Sequence, residues 1–559
     1  MGGMIPQIAY LWFAVLASVM LVTGCRTTTS MRGGADESEA RLQQRAQAHA
    51  RYAHGVVLEL DGQAREALEE YHQAASLAPG NEELVVEVAR RWLLQKKPER
   101  ALEILKLGVA QPDATAMLDV LLGTAYAQSG KTKLAFEANE RAVRKEPLLL
   151  AGYQNLHASR MQAGETEEAV KILDRAAKQR KADADFLIGL AELYVNLATA
   201  APSMKTNVHS KALEILKRAE PMAITNVHSR IRLADGFNVL GESGKAEELY
   251  QSLLADYPQA SLLQENLRAK LTDIYLRGKD PQRAMEQLEV IVREDPMNFQ
   301  AHYYLSLLFS EADQPERAEE HLRKVVVLNP KFEQAYYDLA MAQMRTDRTN
   351  EVFATLQAAQ KKFKENFISE FLLALANVRL DKFDEAVKRF TSAEIIARAT
   401  DAQRLTPIFY HQFGAALERK GDYSEAVKYL QKALELDPSF AEAANHLGYM
   451  WAERGENLER ARELIDLAVK ADPKNEAYLD SLAWVLYKLD RAREALPVML
   501  QAVEIAEEEK NPDPTLYDHL GDIYFALGEP AQARDAWANA IKMVPNDDIQ
   551  KKLDRVTTP

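Results

Sequence analysis

The sequence predicts an all-α fold, a long solenoid of about fourteen stacked helical hairpins. Three observations carry the prediction. A period of 34 residues runs through most of the chain. Ala, Leu, Glu, Lys and Arg are abundant, while Gly (24) and Pro (21) are sparse among 559 residues, which is the composition of helices. Small residues, aromatics and prolines recur at fixed places within the period, as a stacked helix pair requires.

The period is clearest at the small residue that opens the second helix of each hairpin. It recurs as Ala67, Ala101, Ala135, Ala169, Ala212, Ala246, Ala284, Ala318, Val352, Ala386, Ala426, Ala461, Ala495 and Ala533. Eight of the thirteen steps are 34 residues; the others are 43, 38, 40, 35 and 38, which are short insertions with no hairpin lost. Twelve residues before this position stands a small residue such as Gly55, Gly123, Gly414 or Gly521, and four after it a bulky one such as Tyr71, Tyr250, Phe390 or Trp537. The small residue lets two helices approach closely and the bulky one fills the space beside them. A glycine commonly falls five before it (Gly62, Gly130, Gly164, Gly241, Gly421, Gly455, Gly528), suited to the left-handed turn that ends the first helix. Proline often falls twelve after it (Pro79, Pro147, Pro258, Pro296, Pro330), where it ends the second helix. The 43-residue step near Pro202 predicts a lengthened helix or a loop, and the fifth, ninth and tenth hairpins fit the pattern least well.

This spacing resembles the tetratricopeptide repeat family. The resemblance implies a right-handed superhelical solenoid over residues 48–547, with a capping helix and tail at 548–559. Within it, NHLGYMWAERGENLERARELIDLAVKADP, AYLDSLAWVLYKL and YDHLGDIYFALGE resemble the C-terminal repeats of large envelope lipoproteins of Gram-negative bacteria. One such group binds and activates a carboxy-terminal processing protease, so the resemblance implies an adaptor role.

The N-terminus points to the same compartment. Ile8 to Val22 form an apolar run of about the length of a secretory signal core, short for a membrane span. It ends in Leu21-Val22-Thr23-Gly24-Cys25, and Cys25 is the chain's one cysteine. That string resembles a bacterial lipobox, which implies cleavage after residue 24 and acylation of Cys25, including palmitate. Met1 to Gln7 contain no Lys or Arg, which departs from the usual signal and leaves an ordinary cleaved signal or a plain anchor as the other reading. Arg26 rather than Asp follows the cysteine and favours the outer membrane. Residues 26–47 read as a Thr-, Ser- and Gly-rich tether followed by an opening helix.

The first helix of each hairpin lines the groove in this family, and positions 2, 5, 9 and 12 share one face of that helix. Position 5 reads Tyr303, Tyr337 and Phe371, spaced by 34; position 9 reads Leu307, Met341 and Leu375; position 12 adds Met344. Trp484 and Tyr487 continue the set in later hairpins. Two readings of this ladder stand open. It is an apolar groove for a partner peptide or helix, or neighbouring hairpins bury it. Equivalent positions elsewhere are polar (Asp235, Asn238, Asp273, Asp518, Asp522), as a solvated groove would be.

No catalytic set is visible. Ala125 to Thr132 satisfies a loose phosphate-loop pattern, but Gly130 falls on the ordinary turn of the third hairpin, so no nucleotide is expected. Eleven His are scattered, none with metal-ligand spacing. A formal charge of −14 repels phosphate backbones, which argues against nucleic acid. The sequence therefore implies no cofactor, partners that are other proteins, and a membrane reached through a lipid anchor. The reading is an envelope scaffold or adaptor rather than an enzyme; the alternative is a structural envelope protein that self-associates.

Overall fold

The computed structural model describes residues 35–557, with side chains from residue 39 to 556. The apolar leader, Cys25 and the start of the tether lie outside the described residues. The described chain is helical throughout, apart from turns and two 3-10 segments. It divides into two compact bodies, Met1–Leu267 and Arg268–Pro559.

Each body is a stack of antiparallel hairpins in which every hairpin packs on the next. The N-terminal body holds hairpins 1 to 6, from Ala35–Leu60 with Ala64–Leu77 to Val227–Val239 with Ser243–Asp256. Hairpin 7 (Ser261–Arg277, Pro281–Glu294) carries the division within its first helix. The C-terminal body runs from hairpin 8 (Phe299–Glu311, Pro315–Leu328) to hairpin 14 (Pro514–Ala526, Pro530–Met543), followed by the helix Asp547–Thr557.

The repeating alanine explains the stack. All fourteen register residues, from Ala67 to Ala533 and including Val352, are at most 2 % exposed. They form the contact line along which the paired helices touch, where a larger side chain would force them apart. The glycine opposite is needed for the same reason. A methyl on Gly55 would come within 2.7 Å of the Tyr71 ring, and one on Gly521 within 2.4 Å of Trp537.

Turn chemistry follows the register as well. The seven predicted turn glycines all have positive φ, between 67° and 91°. Where the glycine is missing, Lys96, Lys279, Asp313, Asp347, Asp381 and Asp490 hold the same left-handed conformation, with φ between 54° and 60°. A residue with a Cβ pays roughly 1 kcal/mol for that. Helix starts are capped by Asn81, Thr115, Asp183, Asn226, Asn298, Asn366, Thr406 and Asn475, whose side chains accept backbone N–H groups of the first turn.

The insertions lengthen helices rather than adding hairpins. The 43-residue step holds the 17-residue helix Ala184–Ala200 and the 3-10 turn Pro202–Met204. The 40-residue step holds the 18-residue helix Phe383–Thr400 and a second 3-10 turn, Ala402–Arg404. The phosphate-loop look-alike is a hairpin turn: Gly130 (φ 72°) separates Ala116–Gln128 from Thr132–Lys145, with a helix where a phosphate loop needs a strand.

Candidate partner-binding face

The expected ladder lies in the C-terminal body, and the structure closes most of it. Tyr337 is 3 % exposed, Trp484 5 % and Met344 8 %, so these three are core side chains. Tyr303, Phe371, Leu375 and Tyr487 are half-buried. Only Leu307 (37 %) and Met341 (51 %) present substantial apolar surface, joined by Tyr304 (50 %), which the register had not singled out.

Aromatics from neighbouring hairpins do the closing. Phe332 stands at the start of the next first helix, and its ring meets Tyr303 at 4.6 Å. Phe367, one hairpin on, stacks on Phe371 at 5.6 Å, and Phe371 meets Phe409 at 5.7 Å. Tyr303 donates its hydroxyl to Asp338 at 2.9 Å, and Tyr337 donates to Glu333 at 2.6 Å. Burial together with that bond to Glu333 raises the Tyr337 hydroxyl to about 12. Trp484 is held between His519 (3.9 Å, nearly parallel) and Tyr487 (5.0 Å), and its indole N–H donates to Glu453 at 2.7 Å. These rings join one hairpin to the next. An aromatic recurring near the first residue of the helix (Phe299, Phe332, Phe367) was the sequence signal for this closure.

Polar positions read as a wet groove are bridged instead. Asp235 accepts the Tyr250 hydroxyl at 2.5 Å. Asp518 and Asp522 both accept Lys552 of the terminal helix at 2.7 Å. Burial raises the Asp522 carboxyl, against the pull of the Lys552 bond.

Two clefts remain. In the N-terminal body, one of about 140 Å³ is lined by Ile188, Val195, Leu216 and Val239, beside the Glu192–Arg232 pair. In the C-terminal body, one of about 580 Å³ opens at the starts of the first helices of hairpins 9 (Glu333–Arg345) and 10 (Phe367–Arg379). Its far wall comes from the 40-residue insertion, through Ile396, Thr400, Asp401 and Arg404. Of the expected ladder, Tyr337 lies in its lining; the far wall falls outside the 34-residue period, and the length of the step was its signal. Among the described residues no group of three or more His, Cys, Asp or Glu could hold a metal ion, and no helix is long and apolar enough to cross a membrane.

Helical hairpins stacked in this way define a helical-repeat protein. The chain carries tetratricopeptide repeats in its C-terminal part: models of that repeat match residues 367–439, 411–476 and 477–513. Proteins of such repeats are in general protein-interaction scaffolds. Among curated proteins, a TPR repeat-containing protein of Pseudomonas aeruginosa is 33% identical over 105 residues, covering 19% of this chain and 17% of its own length. The type IV pilus assembly protein PilF of the same organism is 28% identical over 138 residues, covering 24% of this chain and 53% of its own. The matches thus span between about a sixth and a half of these relatives. Among solved structures, the APC/C hetero-tetramer Cut9–Hcn1 aligns with 86% of this chain and 97% of its own (TM-score 0.40, 14% identity). Yeast Tom70 aligns with 84% and 98% (TM-score 0.33, 17% identity).

Proposed function

We propose that the protein is a partner-binding adaptor of the bacterial cell envelope, tied to the outer membrane by lipid on Cys25. The observation that carries the binding role is the open apolar row of Tyr304, Leu307 and Met341 on two consecutive first helices. Large apolar side chains left in water on a rigid stack are contact anchors, each costing about 2 kcal/mol or more of binding when truncated in an interface. The lipobox-like string and the apolar leader support the anchor. The envelope-lipoprotein strings in 445–541 support an adaptor that serves a processing protease, and the likeness to a pilus assembly protein keeps envelope assembly machinery as the other client class.

The test is a capture experiment with the full chain in detergent as bait for solubilised envelope proteins. A parallel bait carries Tyr304→Ala, Leu307→Ala and Met341→Ala. A discrete partner lost with the triple variant supports the adaptor and its face. Recovery of the chain alone, as oligomers, transfers the argument to a self-associating structural role. Cys25→Ser is expected to abolish palmitate labelling and release the chain from the membrane; labelling that persists overturns the anchor.

A further inference from the structure

We propose that the 580 Å³ cleft of hairpins 9 and 10 takes a lysine or arginine side chain flanked by apolar residues, from a partner's peptide segment. This rests on the binding role above and names its chemistry. The cleft is a departure from the repeat. Its near wall is made by the ordinary starts of two first helices, and its far wall by the inserted turn, with Ile396 and Arg404 facing Phe367 across it. The regular 34-residue hairpins lack this insertion, so the cleft is specific to this place in the chain.

Its charge is unbalanced. Glu333, Glu365 and Asp401 line it against a single cation, Arg404. That cation is occupied: its Nε donates to Asp401 at 3.2 Å, and its guanidinium lies 5.9 Å from the centre of the Phe367 ring. Glu333 is held in place, because its Oε1 accepts both the Tyr337 hydroxyl (2.6 Å) and Asn366 Nδ2 (2.7 Å). Its Oε2 accepts no bond from any described residue, and neither oxygen of Glu365 does. The lysines of the preceding loop, Lys361, Lys362 and Lys364, are not part of the lining. Lys362 instead sits 6.0 Å from the centre of the Tyr336 ring.

The geometry is that of a clamp for an amphipathic cation. Phe367 and Ile396 can cover a methylene stem, as long basic side chains prefer, while Glu333 Oε2 and the Glu365 carboxylate receive the head group. An acidic side chain would meet only repulsion there. Asn366 fixes both the Glu333 carboxylate and the Tyr337 hydroxyl (2.6 Å), so the carboxylate is positioned before a ligand arrives.

The experiment selects a displayed library of random ten-residue peptides against the full chain in detergent and, in parallel, against Glu333→Gln/Glu365→Lys. Glu365 is exposed and the glutamine keeps an acceptor for Tyr337, so both baits fold; matched melting temperatures check this. The expected result is Lys or Arg beside Leu, Ile or Phe, enriched about fivefold over the variant pool. The chain's overall negative charge alone would enrich basic peptides equally on both baits, and that outcome overturns the proposal. So does a wild-type pool with no basic signature. If that signature is absent while the envelope capture yields a partner, the cleft assignment fails and the adaptor stands. If the signature is present while no partner is captured, the adaptor reading fails and the cleft stands.

Discussion

Hairpins 3 and 4 and hairpins 10 and 11 follow one backbone plan and fill it with opposite chemistry. Four residues past the register alanine, hairpin 3 has Asn139 and hairpin 10 has Phe390, at 3 % and 0 % exposure. Asn139 donates to the carbonyl of Ala135 at 2.8 Å and accepts from Asn155 of the next hairpin at 3.0 Å, so the junction is a buried amide relay. Phe390 instead stacks on Phe413 of the next hairpin at 5.2 Å and meets Phe371 and Phe409 edge-on near 6 Å. The repeat therefore dictates the space between helices and leaves its chemistry open. An aromatic junction gains by area and tolerates sliding, whereas an amide relay gains less and holds one register.

That contrast breaks most sharply at Phe390. Phe390→Ala is expected to cost about 4 kcal/mol, through lost burial and the cavity left among three rings. Urea unfolding of the full chain measures it, and a loss below about 1 kcal/mol would mean the cluster collapses without penalty. Arg389→Ala comes next, at about 3 kcal/mol. It removes the guanidinium whose Nη1 donates to both oxygens of Glu370 at 3.1 Å, and leaves that carboxylate, 2 % exposed, with Gln360 at 3.3 Å and no cation. Asn139→Ala is expected to cost about 1 kcal/mol, for the loss of one acceptor of the Asn155 amide, which keeps Thr124 Oγ1 at 3.0 Å and the Val120 carbonyl at 3.3 Å. A larger loss than at Phe390 would invert the comparison.

The mildest test is acid. Burial, then the charge of neighbouring His302, hold His321 at about 4, and burial, then His446, hold His411 at about 4. An unfolded His titrates near 6.5. Both rings are therefore neutral in the fold, while the unfolded chain takes up protons below about 6.5. Their contribution is full above that pH and is lost as pH falls toward 4. Melting temperatures of the full chain should fall between pH 7 and pH 5, and His321→Gln should flatten that fall.

The stack was legible in the sequence because the feature that builds it repeats: every register alanine marks a helix contact, and every turn glycine sits at positive φ. The site was legible only as a row. Spacing places Tyr303, Tyr337 and Phe371 in line but does not say what covers them, since Phe332 over Tyr303 and Phe409 beside Phe371 come from the starts of the next hairpins. Leu307 and Met341 stay open, at 37 % and 51 % exposure. The cleft was legible at Tyr337, which lines it, but its far wall was not, because that wall is made by residues that interrupt the period.

Three consecutive turns use aspartate where other hairpins use glycine, and each aspartate reaches the following hairpin. Arg345 contacts Asp313, Arg379 contacts Asp347 at 3.2 Å, and Arg419 contacts Asp381 at 3.3 Å. The strain of a left-handed aspartate is thereby exchanged for a tie that lies almost wholly in water, with the three carboxylates between 73 % and 94 % exposed. Ions in solution reach and screen such ties. Over this span the ties between successive hairpins therefore weaken as ionic strength rises.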